Sequence, residues 1–245
     1  ETCGVPYEFM TPDEVKAKWP LIRTDDLKGA LYHQTDGYIN PADVTMAMAK
    51  GARQRGVAIE RKWQADAVHW NGTHWEVTAT KMVEKGGNLI PSDEQVVITA
   101  EHVVTASGNH AQRTAKMLGI KMPAIPVEHQ FIVLDQDPDL VKFRAEGNAE
   151  HPVIRDADAQ SYVREERGGW ILGVYEKDAP ARFEYGVPDS FRADLFQLDL
   201  ERIEGQYAAM THRVPSCENS GLKDDFNGPI CHTPDGNPLV GPAPG

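Results

Sequence analysis

The residues with the clearest capacity for chemistry fall in three places. Val103-Val104-Thr105-Ala106-Ser107-Gly108-Asn109-His110-Ala111 is an apolar run that breaks into small residues before a helical segment. Small side chains at Ala106, Ser107 and Gly108 leave the peptide groups bare, so a ligand can approach the main chain. The helix behind them offers unpaired N–H groups to an anion. The other reading is an ordinary strand-to-helix turn. Tyr162 and Arg164 stand two residues apart in Ser161-Tyr162-Val163-Arg164, so they share one face if that stretch is a strand. A guanidinium there can grip a carboxylate bidentately. Its alternative is an internal ion pair, with Glu176 or Asp156 as the partner, because an inward arginine is costly unpaired. His129 lies in another such stretch, and histidine is the side chain best poised to exchange protons near neutral pH. Half-buried strand histidine and cross-strand aromatic are the plainer readings of His129 and Tyr162.

Other chemistries are poorly supported. There is no G-x-G-x-x-G, so the usual cradle for a dinucleotide pyrophosphate is missing from these residues. The three cysteines, Cys3, Cys217 and Cys231, are widely spaced with no C-x-x-C, which argues for a reducing compartment and against a thiolate metal site. Nine histidines include no credible helical H-x-x-x-H, so no metal is expected. A net charge of −12 argues against nucleic acid and anionic membrane as partners. No run of about 18 apolar residues exists, and no signal peptide is visible. A small-molecule substrate and a cytoplasmic location, or the mitochondrial matrix in a eukaryote, are expected. Oligomeric state is left open. The first residue is Glu1 rather than Met, so a processed or truncated chain is expected.

The elements that must position these residues can be read from local signals. Thr11-Pro12-Asp13-Glu14 is a capping box with proline in the first turn, and Pro20 ends the short helix it opens. Gly29 to Tyr32 is a plausible strand. Asn40-Pro41 opens a longer helix with Val44, Met48 and Ala52 at spacing four, which Gly56 stops. Val57-Ala58-Ile59 and Val103 to Ala106 are expected as buried strands of an α/β sheet. Between them, Asn71-Gly72 and Gly86-Gly87 punctuate an antiparallel insertion. Gln112 to Leu118 is helical, with Gly119 as its stop. Beyond Pro123 the pattern changes to strand pairs: Val127 to Leu134, Val153 to Arg155, Ser161 to Arg164 and Trp170 to Tyr175, with a turn at Gly168-Gly169. Asp189 is expected to cap a helix carrying Leu195, Leu198, Ile203 and Tyr207.

The order of further landmarks is more specific than any one of them. Gly4-Val5-Pro6-Tyr7 is followed by Asp36-Gly37-Tyr38-Ile39-Asn40-Pro41 and by Lys50-Gly51-Ala52-Arg53-Gln54-Arg55-Gly56. Then come the Ala106 to Gly108 turn, Pro126-Val127-Glu128-His129-Gln130, Ile154-Arg155-Asp156, Tyr162-x-Arg164 and Gly173-Val174-Tyr175-Glu176. Last are Asn227-Gly228-Pro229 and Thr233-Pro234-Asp235-Gly236. Together, over nearly the whole chain, the series resembles the dimethylglycine and sarcosine dehydrogenase family of the D-amino-acid oxidase superfamily.

That resemblance implies an α/β plus α+β fold: an incomplete FAD-binding, Rossmann-like lobe and an antiparallel-sheet substrate domain. The implied divisions are an entry segment over 1–39, the partial FAD lobe over 40–118, the substrate domain over 119–225 and a return segment over 226–245. It implies FAD as cofactor and oxidation of the C–N bond of an N-methylated amino acid such as dimethylglycine or sarcosine. The chain matches the middle of such an enzyme and would be inactive alone, binding FAD weakly or not at all. Ala65, Ala106, Ser107 and Gly108 match cofactor-contacting positions, with His110 near the place of a tryptophan in relatives. His129 and Tyr162 match catalytic positions, and Arg164 and Tyr175 are the substrate-binding candidates. Rival readings are a primary-amine oxidase of the glycine-oxidase kind and a non-catalytic binding module.

Overall fold

The computed structural model describes residues 4–243. Cys3 lies outside them. The chain divides into two compact units. One holds Glu1–Tyr38, Val127–Pro180 and Ala193–Pro229; the other holds Ile39–Pro126, Ala181–Arg192 and Ile230–Gly245. Residues 181–192 fall in the second unit.

In the first unit, β1 (Glu8–Met10) precedes α1 (Pro12–Lys18) and pairs antiparallel with β2 (Ala30–Tyr32). The Thr11 capping box forms as its sequence requires: Thr11 N–H donates to Glu14 Oε2 at 2.7 Å, and Glu14 N–H donates to Thr11 Oγ1 at 3.4 Å.

The second unit opens with α2 (Pro41–Gln54), whose first N–H groups at Ala42 and Asp43 donate to the Asn40 side chain. Gly56 takes a left-handed φ of +85° and ends the helix. The helix buries none of its residues. β3 (Trp63–Trp70), β4 (Trp75–Lys85) and β5 (Asn88–Ala100) form an antiparallel sheet in that order, turning at Asn71-Gly72 and Gly86-Gly87. The strands expected at Val57–Ile59 and Val103–Ala106 do not form. A buried strand needs hydrogen-bonded neighbours, and no described segment pairs with either. Val104 is accordingly 88% exposed. α3 (Ala111–Met117) closes this stretch, and Gly119 follows at φ +68°.

β6 (Ile125–Leu134), α4 (Pro138–Ala145), β7 (Ile154–Asp156), β8 (Ser161–Glu166), β9 (Gly169–Val174), α5 (Leu200–Arg213) and β10 (Leu222–His232) complete the chain. The five strands form one sheet, ordered β10-β6-β9-β8-β7, and the β6–β9–β8–β7 pairings are antiparallel. Arg167 and Gly168, both at positive φ, make the β8–β9 turn, one residue earlier than the paired glycines suggest. β6 alternates cleanly, with Glu128, Gln130, Ile132 and Leu134 buried and their neighbours half-buried. Ile132 and Leu134 join Val163, Trp170, Leu172, Ile203, Met210 and Val214 in the core of this unit. Trp170 is fully buried, and its indole N–H donates to Asp137 Oδ2 at 2.6 Å. Asp137 also caps α4, so one buried carboxylate meets two needs.

The α5 cap is Asp199, not Asp189. Asp189 instead pairs with Arg113 on α3, and Leu195 and Leu198 precede the helix. No helix among the described residues is long and apolar enough to cross a membrane.

Candidate active site

One face of the five-stranded sheet gathers the site. Tyr162 on β8 and Phe131 on β6 are both cross-strand partners of Gly173 on β9, so all three point the same way. His129 shares that face by period two, as does Tyr175, which follows β9. Ring centroids are 6.4 Å apart for His129 and Tyr162, 5.2 Å for His129 and Tyr175, and 5.8 Å for Tyr162 and Tyr175. The structure thus brings three of the four substrate-pocket candidates into one cluster. Phe131 extends it, stacked on Phe226 at 4.6 Å.

The tyrosines arrive with their hydroxyls uncommitted. Neither Tyr162 nor Tyr175 gives its O–H to any described residue. Burial and then the neighbouring Tyr175 push the Tyr162 phenol above its ordinary value, against the pull of Arg164 and Arg155. Tyr162 therefore remains a neutral donor at physiological pH.

The opposite face carries a buried polar network. Arg202 on α5 pairs with Glu176 and donates to Glu128 Oε2 at 2.8 Å. Gln130 Nε2 donates to Glu176 Oε1 at 3.1 Å, and Asn227 Nδ2 donates to Glu128 Oε2 at 2.9 Å. Glu128 is only 3% exposed, so its charge depends on those partners. Glu128 and Glu176 adjoin His129 and Tyr175 in sequence. The network fixes the strand positions that aim the two rings, and it gives Asn227 of the Asn-Gly-Pro landmark a structural part.

Arg164 departs from expectation. Glu176 is held by Arg202, and Asp156 by Arg213 at 3.2 Å. Arg164 instead pairs with Glu166 at 2.7 Å, two residues along the same strand face, and donates to the Glu165 carbonyl at 2.8 Å. Its guanidinium lies 4.2 Å from the Tyr38 ring centroid. Arg155, in the Ile154-Arg155-Asp156 landmark, is the direct β7 partner of Tyr162.

In the second unit, the Ala106 to Gly108 turn leads into a 3-10 turn at Gly108–His110 and then α3. Ser107 Oγ meets Thr114 Oγ1 at 2.8 Å, and His110 N–H donates to the Ser107 carbonyl at 2.9 Å. Gly108 has φ +54°, and a Cβ placed on it would meet nothing within 4 Å. Bare main chain beside open space fits the approach of a flat cofactor. Ala65 pairs with Ala79 just before a bulge that sets Asp66 apart. Asp66 reaches Arg113 of α3 at 3.5 Å, which ties Ala65's strand to the helix behind the turn. The four cofactor candidates are thus connected through β3 and α3.

A hollow of about 690 Å³ in the first unit lies among α1, β2 and β7, lined by Val15, Trp19, Leu27, Tyr32, Arg155 and Arg213. None of His129, Tyr162 and Tyr175 lines it.

The chain belongs to the FAD-dependent oxidoreductases: the family model described as FAD dependent oxidoreductase (DAO) matches residues 1–245. It is related to dimethylglycine dehydrogenase of Rattus norvegicus, 33% identical over 242 residues, which cover 97% of this chain and 26% of that protein. Sarcosine dehydrogenase of Mus musculus is 30% identical over 98% of this chain and 24% of its own length. The chain therefore spans about a quarter of these curated relatives. Among solved structures, L-proline dehydrogenase from P. horikoshii matches with a TM-score of 0.75 at 22% identity, over 99% of this chain and 57% of that one. That likeness shows the mixed α/β fold with antiparallel sheets.

Proposed function

We propose that the chain serves in the oxidation of the C–N bond of a small N-methylated amino acid, dimethylglycine or sarcosine being the natural candidates. The observation that carries this reading is the His129–Tyr162–Tyr175 cluster on one sheet face. Hydride leaves readily only from a neutral amine, because its lone pair stabilises the iminium that forms. His129 would take up the amine proton near neutral pH. Tyr162 would orient the substrate through its neutral hydroxyl, and the tyrosine rings would pack the methyl groups. Ala65, Ala106, Ser107 and Gly108 would contact FAD, which supplies the two-electron acceptor when bound. With no G-x-G-x-x-G among its residues, this chain by itself would bind FAD weakly. Sub-micromolar binding in equilibrium dialysis would overturn that last point.

The decisive experiment is anaerobic mixing of the full-length, flavin-loaded protein with dimethylglycine, sarcosine and glycine. Flavin reduction by the N-methylated amino acids, faster than by glycine, is expected. Preferential reduction by glycine would replace this reading with a primary-amine oxidase. No reduction by any of the three would remove the amine-oxidising reading. The reducing compartment inferred from cysteine usage, cytoplasm or mitochondrial matrix, belongs to the same proposal.

A further inference from the structure

Four places in the chain set an asparagine or aspartate before a glycine: Asp36-Gly37, Asn71-Gly72, Asn227-Gly228 and Asp235-Gly236. Such pairs share one chemistry. The glycine nitrogen can attack the preceding side-chain carbonyl carbon, because no Cβ shields it. The fold treats the four differently. Asn227 is 1% exposed, and its amide donates to Glu128 Oε2 at 2.9 Å and to the Gln197 carbonyl at 2.8 Å. Asn71 is exposed, but both ends of its amide are occupied. Its Oδ1 accepts from the Thr73 N–H at 3.0 Å and the His74 N–H at 3.1 Å, and its Nδ2 donates to Glu76 Oε1 at 2.7 Å. Asp235 reaches past Gly236 to the Asn237 N–H at 3.1 Å, and the Gly236 N–H is spent on the Thr233 carbonyl at 3.1 Å. Asp36 differs from all three. Its Oδ1 accepts from the N–H of Gly37 itself, at 2.8 Å, so nitrogen and carboxyl already face each other. Both residues are exposed, outside helix and strand, where water reaches them. A Cβ on Gly37 would meet nothing within 4 Å, so no neighbour obstructs ring closure.

We propose that Asp36-Gly37 is a self-modifying site, at which the folded protein converts aspartate to isoaspartate. The Gly37 nitrogen bonds to Cγ of the protonated Asp36 carboxyl, and the Cγ–OH bond breaks. The hydroxyl leaves with the nitrogen's proton as water. Water then opens the succinimide. Cleavage at Cγ restores aspartate, and cleavage at the main-chain carbonyl leaves the chain running through Cβ and Cγ. Nothing is oxidised or reduced, and water is the only co-reactant. The product lengthens the main chain by one carbon just before Tyr38, whose hydroxyl donates to Glu150 at 2.6 Å and whose ring packs on Arg164. Modification therefore loosens Tyr38 from both contacts. The site stands apart from the amine oxidation proposed above.

The test incubates the full-length, flavin-loaded protein for weeks in heavy-oxygen water at mildly acidic pH, both folded and in denaturant. Peptide mapping with electron-transfer fragmentation reads isoaspartate, and the heavy oxygen gained, at each of the four pairs. Folding should slow Asn71, Asn227 and Asp235 by about tenfold or more and leave Asp36 at least as fast as in denaturant. Asp36→Glu, which needs a larger ring, should abolish the reaction there. Gly37→Ala should slow it by about tenfold through the added Cβ. Chymotryptic cleavage after Tyr38 should quicken as the parent ages and stay constant in Asp36→Glu. A slowing of Asp36 on folding as large as at the other three pairs overturns the assignment. So does isoaspartate at that position without heavy oxygen. Cleavage that does not quicken overturns the effect on Tyr38.

Discussion

The Tyr162 ring lies directly over Gly173: a Cβ on that glycine would come within 1.9 Å of the ring's Cζ. Gly173 has no left-handed φ, so its backbone alone does not demand glycine. The demand comes from the ring. Gly173→Ala should therefore expel Tyr162 from its seat, although alanine suits a strand better than glycine. We expect a Tm change of a few degrees at most and a large loss of substrate binding. Retained binding would show that the ring's position is incidental.

His129 and Tyr162 should separate kinetically. In the full-length, flavin-loaded protein, His129→Ala should slow flavin reduction by roughly 10²-fold or more, the usual contribution of a positioned acid–base group. Tyr162→Phe should instead weaken binding by about 0.5–1.5 kcal/mol, somewhat more if the partner is charged. Stopped-flow rates and affinities unchanged in both would leave these residues a structural part only.

Arg202 is the cation shared by Glu128 and Glu176, and all three are largely buried. Arg202→Met should cost about 3–5 kcal/mol, because it strands buried carboxylates. Chemical denaturation measures this directly. Partial recovery on adding Glu128→Gln and Glu176→Gln would show that the cost is unpaired charge, not lost packing.

Asp26 provides a pH signature. Arg213 donates to it at 2.6 Å, and its carboxyl is held at about 2, well below the usual range. The folded state thus binds this proton less tightly than the unfolded chain. The stabilisation is complete above the unfolded value of roughly 3.9 and disappears as pH falls through about 2. Asp26→Asn should be less stable than the parent at pH 7, and the two should converge in acid. The gap should also shrink with salt, since the pair is partly exposed. A gap independent of pH would contradict the assignment.

Local signals were legible wherever local chemistry decides. The Thr11 and Asn40 caps, the Asn71-Gly72 hairpin and the strand over Val127 to Leu134 all appear where the residues indicate. Features decided at long range were not. Asp189 and Asp199 carry the same capping signal, and only a distant residue, Arg113, tells them apart by claiming Asp189. Val57–Ile59 and Val103–Ala106 have strand composition, but composition supplies no pairing partner. At the site, period two places Tyr162 and Arg164 on one face, yet it cannot say which acid takes the arginine. Arg155 lies in the Ile154-Arg155-Asp156 landmark, but only the β7–β8 register sets it opposite Tyr162. A glycine flanked by Leu172 and Val174 in an otherwise apolar strand was the one available hint of a seated ring.

The alternation of β6 joins assembly to the proposed site. His129 and Phe131 show on one side of the strand, while Glu128 and Gln130 serve the network on the other. A slip of one residue would exchange the two sets, sending carboxylate and amide to the open side and the imidazole inward. Such a molecule would forfeit the Arg202 contacts along with the imidazole proposed for proton exchange. Slipped forms that keep half of the proposed site are thus disfavoured, since the error that turns His129 inward also strands the buried network.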